Sequence, residues 1–115
     1  MKFLFLLTQI EEAWDTSPPG EAERVYEQYM AIERDLKAQG KFVESVRLRS
    51  RSEAKTLRNL LAGQREIVDG PCFDSKEAIG GFYVLDCSSM EEAVEWASRM
   101  PNYGHGAIEI RPFWE

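Results

Sequence analysis

The stretch VDGPCFDSKEAIGGFYVLDCSSMEEAVEWASRMPNYGHGAIEIRPF, Val68–Phe113, decides the fold. It opens on Asp69-Gly70-Pro71. Proline has no amide to give a strand ladder, so this tripeptide ends whatever strand leads into it. Ser75–Gly81 reads as a short turn or a single helical turn. Gly81–Cys87 carries Phe82, Tyr83, Val84 and Leu85 in succession, which predicts a strand with a buried face. Ser88 then stands three residues before Glu91, the spacing of a capping box. Ala93, Trp96, Ala97 and Met100 follow at helical spacing, and Pro101 ends the helix. In the last segment Ile108 and Ile110 share one face of a strand, and Glu109 and Arg111 share the other. The stretch therefore reads as strand, helix, strand. Gly80-Gly81 lacks the third glycine and the Lys-Ser/Thr of a phosphate loop, and a strand follows it. A bulge or tight turn is the better reading.

Working back toward the N-terminus gives a matching half. Lys2–Thr8 is a nearly continuous apolar run, as in a central strand buried on both faces. A polar link ends in SPPGEAE, where Ser17 can cap a helix and Pro18 suits its first position. Glu21 and Glu23 favour the positive end of that helix. Ala22, Val25, Tyr26, Tyr29, Ile32 and Leu36 fall on one face, and Gly40 stops the helix. Lys41–Leu48 reads as a second strand. Lys55–Val68 reads as a hairpin with Ala62-Gly63 near its turn. The order is strand, helix, strand, inserted hairpin, strand, helix, strand. This is an α+β, ferredoxin-like β-α-β-β-α-β plan with an extra hairpin. Two helices cover only one face of such a sheet, so the other face meets water or a second copy, and a homodimer is expected.

Size and composition fit one soluble domain over residues 1–115, with 43% hydrophobic and 30% charged residues. The formal net charge of -6 disfavours nucleic acid, which needs a basic footprint. No stretch reaches membrane-spanning length. The apolar run Phe3–Leu7 is too short for a signal peptide core. Cys72 and Cys87 are the only cysteines, which suits a reducing, cytoplasmic setting. With one histidine besides, they cannot fill a zinc site, and no metal or other cofactor is expected. Both thiols read as buried space-fillers.

The ordered set Asp69, Gly70, Pro71, Lys76, Glu77, Gly80, Gly81, Phe82, Tyr83, Glu92, Ala93, Trp96, Ala97, Gly106, Ile108, Glu109, Ile110, Arg111 and Pro112 resembles the YCII-related family in its DGPF branch. The register holds across the whole second half of the chain. The first half is similar only in element order and in its opening apolar strand. The resemblance implies a fold that dimerises into an α+β barrel arrangement, with a His-Asp pair in a cleft. Two departures stand out. Cys72 takes the place of the phenylalanine expected after Asp-Gly-Pro, with Phe73 next. The first helix has no histidine, so any such pair must use His105.

His105 is the one side chain whose unperturbed pKa lies near neutral. It sits between glycines and is the candidate acid–base group. Its structural alternative is an exposed loop histidine. Asp69 is the candidate partner carboxylate, and a local turn before the proline is its other reading. Arg111, Glu109 and Tyr83 are candidate ligand-binding residues. Arg111 could hold a small anionic group by its planar fork, or pair with Glu109 on a solvated face for under about 1 kcal/mol. Two functions follow. One is small-molecule binding with lyase- or isomerase-like proton transfer. The other is a non-catalytic interaction or regulatory module that uses the open sheet face.

Overall fold

A computed structural model describes residues 1–59, 61, 63, 65–73, 75–101 and 105–115. The main sheet has four strands: β1 (Lys2–Gln9), β2 (Phe42–Arg47), β5 (Ala78–Asp86) and β6 (Ile108–Pro112), in the order β2-β5-β1-β6. Every neighbour pair is antiparallel. With α1 (Glu21–Ala38) and α2 (Met90–Arg99), this is the ferredoxin-like arrangement. The inserted strands β3 (Lys55–Arg58) and β4 (Glu66–Asp69) pair only with each other, as a separate two-stranded sheet. Ala62, expected at their turn, lies outside the described residues.

The core lies between the sheet and the helices. Phe3 and Phe5 of β1, Leu85 of β5 and Leu36 of α1 are completely buried. Each such side chain contributes roughly 1.5–3 kcal/mol by leaving water. Ile108 and Ile110 pack against this cluster, as their alternation predicts. β1 is central, but it is fully buried on one face only. Leu4 and Leu6 are half-buried because no helix covers their side.

Several local expectations shift. α1 starts at Glu21, not after Ser17, and residues Glu11–Thr16 of the link form a 3-10 turn. Pro18 and Pro19 each push the preceding residue toward extended geometry, so the helix cannot begin there. Gly20 takes φ 84° as its N-cap instead. The C-terminal end is as expected: Gly40 has φ 70°, and Lys41 N–H bonds to the Leu36 carbonyl at 2.9 Å. Ser89, not Ser88, caps α2 by accepting from the Glu92 N–H at 3.2 Å. Ser88 donates to the Glu92 carboxylate at 2.8 Å. Residues 78–80 extend β5 rather than forming a turn. Gly80 sits at a bulge, because Leu7 pairs with Gly81 and Thr8 with Ile79. Cys72 and Tyr26 are exposed rather than packed, whereas Cys87 is buried.

Candidate functional site

The N-terminal half of α1 stands over the helix-side face of the sheet and bounds an open cleft of about 1560 Å³. Its walls include Tyr29 and Glu33 from α1, Ser45 and Tyr83 from the sheet, and Trp14 and His105 at one end. His105 is half-buried, and its ring meets Trp14 edge to face at a centroid distance of 5.6 Å. Trp14 is held in turn, because its indole Nε1 donates to Gln9 Oε1 at 3.0 Å. Gln9 passes so close to Gly80 that a Cβ there would lie 2.7 Å from its Cδ. The bulge in β5 thus makes room for the side chain that fixes the wall behind His105.

The inner wall is aromatic. Tyr29 and Tyr83 stack at 6.1 Å with 24° between their planes. Tyr29 is anchored by donating its hydroxyl to the Pro101 carbonyl at 2.9 Å. Burial, and then the Glu33 carboxylate, push the Tyr83 phenol well above its ordinary pKa, so it keeps its proton. Glu33 accepts from Ser45 Oγ at 3.5 Å and pairs with Lys37 at 3.4 Å.

One guanidinium ties the outer rim. Arg51 Nη2 reaches Glu12 Oε1 at 3.1 Å, and its backbone N–H donates to Glu11 Oε2 at 3.0 Å. Its Nη1 donates to the Ser75 carbonyl. The 3-10 turn that carries Trp14 is therefore fastened to both ends of the hairpin insertion.

Of the residues singled out from sequence, the cleft brings together two, Tyr83 and His105. Asp69 ends β4, pairs with Lys55 across the hairpin at 2.6 Å and is 85% exposed. It is not among the described residues lining the cleft. Glu109 and Arg111 face Leu6 and Leu4 across β6–β1, on the sheet side without helices, 4.0 Å from each other. Trp14, Gln9, Glu33 and Ser45 were not singled out in the sequence. Glu33 had a signal: it falls one helical turn after Tyr29 and one residue from buried Ile32, a charge at the margin of an apolar stripe.

The YCII-related domain description matches residues 1–115. An uncharacterised protein of Rhizobium meliloti (strain 1021) is 35% identical over 105 residues, 90% of this chain and 82% of that protein. Among solved structures, the chain is similar to 5-chloro-2-hydroxyhydroquinone dehydrochlorinase from Burkholderia phenoliruptrix AC1100, in complex with 2,5-dihydroxybenzoquinone. That similarity has a TM-score of 0.49 at 18% identity, covering 99% of this chain and 94% of that one. No helix among the described residues is long and apolar enough to cross a membrane. On the whole-length match and the relative together, this chain belongs to the YCII-related domain family.

Proposed function

We propose that the protein is a homodimeric small-molecule-binding protein of the cytoplasm, with His105 as a proton-transfer group for a lyase- or isomerase-like step. The observation that carries this reading is the placement of His105, half-buried against Trp14 in a cleft with an aromatic inner wall. An imidazole beside a flat apolar surface can move a proton on a bound ring or enolisable acid. Asp69 is the carboxylate proposed to orient it. The present Asp69–Lys55 pair is exposed and worth under about 1 kcal/mol, so releasing it costs little. The hairpin carrying it, from this chain or from a second copy, would have to bring it in. Arg111, with Glu109, is the proposed contact for an anionic group reaching the open face.

A second reading, docking through that open face, is favoured by one observation. Leu4, Leu6, Val46 and Phe82 form a half-buried apolar stripe with no helix over it. The two readings are compatible if the partner is a second copy.

The test is a thermal-shift screen of small organic acids, phenols and phosphates on wild type, His105→Ala and Asp69→Asn. A ligand of the folded state raises its melting temperature by mass action. A compound that stabilises wild type but neither variant supports the site. Equal shifts in all three would remove His105 and Asp69 from it. No shift with any compound, in variants that fold normally, would leave the docking role alone.

A further inference from the structure

Tyr83 is 7% exposed, and its ring is fixed between Tyr29, stacked on it, and Phe42, edge-on at 6.4 Å. The residue lines the cleft, and among the described residues its hydroxyl has no hydrogen-bond partner. The ring is buried but the hydroxyl is open to the cleft, where it is left to bond solvent or a ligand. Glu33 lies beside it. Ser45 sits directly across the β2–β5 ladder from Tyr83, and its Oγ donates to Glu33 Oε1. Lys37 meets the same oxygen, and no described residue takes Oε2. The Glu33 side chain is only 12% exposed. A carboxylate and a protonated phenol therefore both line this part of the cleft, linked through Ser45.

The surrounding charge narrows what they can bind. Carboxylates outnumber guanidinium groups two to one along the cleft walls. Of the three arginines there, Arg49 is paired with Glu53 and Arg51 with Glu11 and Glu12, and Arg47, at the end of β2, is the one with no ion pair to a described residue.

We infer that Glu33 Oε2 and Tyr83 Oη form a reader for an uncharged hydroxyl group on a flat ring, and that they reject a ring carboxylate. The ligand hydroxyl donates to Glu33 in a charge-assisted bond and accepts from Tyr83. The aromatic wall receives the ring. A carboxylate in the same place would face the Glu33 anion at close range. This rests on the cleft being a small-molecule site, as proposed above, and assigns its ligand class.

The test compares catechol with benzoate, two single-ring probes, by calorimetric titration of wild type, Glu33→Gln, Tyr83→Phe and His105→Ala. Catechol is expected to bind wild type about tenfold or more tighter than benzoate. Each of Glu33→Gln and Tyr83→Phe weakens catechol by about tenfold, as expected for one lost bond to a buried or charged group. Glu33→Gln also strengthens benzoate. Ligand-free Tyr83→Phe melts at or above the wild-type temperature, because the hydroxyl bonds none of the described residues. A hydroxyl with a structural role would lower it. Benzoate binding as tightly as catechol, or catechol affinity unchanged in Tyr83→Phe, overturns the inference. Binding that needs Glu33 and Tyr83 but is indifferent to His105 upholds it and removes His105 from the site. Failure of wild type to bind either probe at millimolar concentration overturns this inference, whereas the small-molecule reading falls only if no compound of the thermal-shift screen stabilises the protein.

Discussion

Gly80 and Gly81 adjoin in β5, yet alanine at each is expected to do opposite things. At Gly81 a Cβ would lie 2.6 Å from the Val46 carbonyl oxygen, a backbone atom of the neighbouring strand β2. Carbon–oxygen contacts ordinarily begin near about 3.3 Å. The ladder itself must therefore give by roughly 0.7 Å. Overpacking of this kind costs about 1–3 kcal/mol. The less flexible unfolded chain of an alanine variant returns about 0.4–1 kcal/mol. Gly81→Ala should be destabilised by a net of about 1–2 kcal/mol. With a urea slope of about 1–3 kcal/mol/M, the unfolding midpoint should fall by about 0.5–1 M. At Gly80 the obstruction is the end of the Gln9 side chain, at 2.7 and 2.8 Å, which can swing aside. Gly80→Ala should unfold near the wild-type midpoint. Its effect belongs at the site, because Gln9 holds Trp14 and Trp14 meets His105. His105 is the only histidine, so one imidazole proton resonance reports on it. That resonance should move in Gly80→Ala while the midpoint stays. A Gly81→Ala protein as stable as wild type would refute the packing argument. An unmoved His105 resonance in Gly80→Ala would refute the chain from bulge to site.

Three further outcomes are expected. Ser89→Ala should lose about 0.5–2 kcal/mol in denaturant titration, as for a lost helix N-cap, while Ser88→Ala loses less because Ser88 bonds only the Glu92 side chain. Cys72 should react at once with an aromatic disulfide reagent, whereas Cys87 should react only on unfolding, since burial pushes its thiol up to about 11. The Lys41–Glu92 pair, at 2.5 Å, should make stability depend on pH at both extremes. Its hydrogen bond to Lys41 holds the Glu92 carboxyl below the usual range, so that contribution is present above the ordinary glutamate pKa and lost as pH falls through the lowered value. The same bond raises Lys41, so its contribution is present below the ordinary lysine pKa and lost as pH rises through the raised value. Glu92→Gln should flatten the acid limb of a plot of melting temperature against pH, and an unchanged limb would exclude the pair.

The fold was legible because its signals are local and periodic. Ile108 and Ile110 announced their face by alternation, and Gly40 announced a helix end that only a left-handed residue makes easily. The misplacements were equally local. Ser17 and Ser88 both have the right chemistry for a cap, and only the prolines after one and the register of the other decide against them. The site was legible in part. His105 and Tyr83 are conspicuous by residue type, but the sheet separates them from Glu109 and Arg111, which alternation alone could have indicated. Trp14 and Gln9 could not be found this way. Their role depends on a bulge that pairs Thr8 with Ile79 rather than Gly80; Gly80-Gly81 marks that bulge in the sequence, but nothing there says which side chain fills the space it opens.

The stand-alone ladder of β3 and β4 has a practical consequence. Its strands hydrogen-bond to each other and not to the main sheet, so the segment between Arg58 and Glu66 joins two strands whose alignment is already set. Lengthening such a connection costs only about 0.6 kcal/mol for each doubling. It is the natural graft point on this chain, where a peptide tag or reporter could be spliced in with the sheet, both helices and the cleft left as they are.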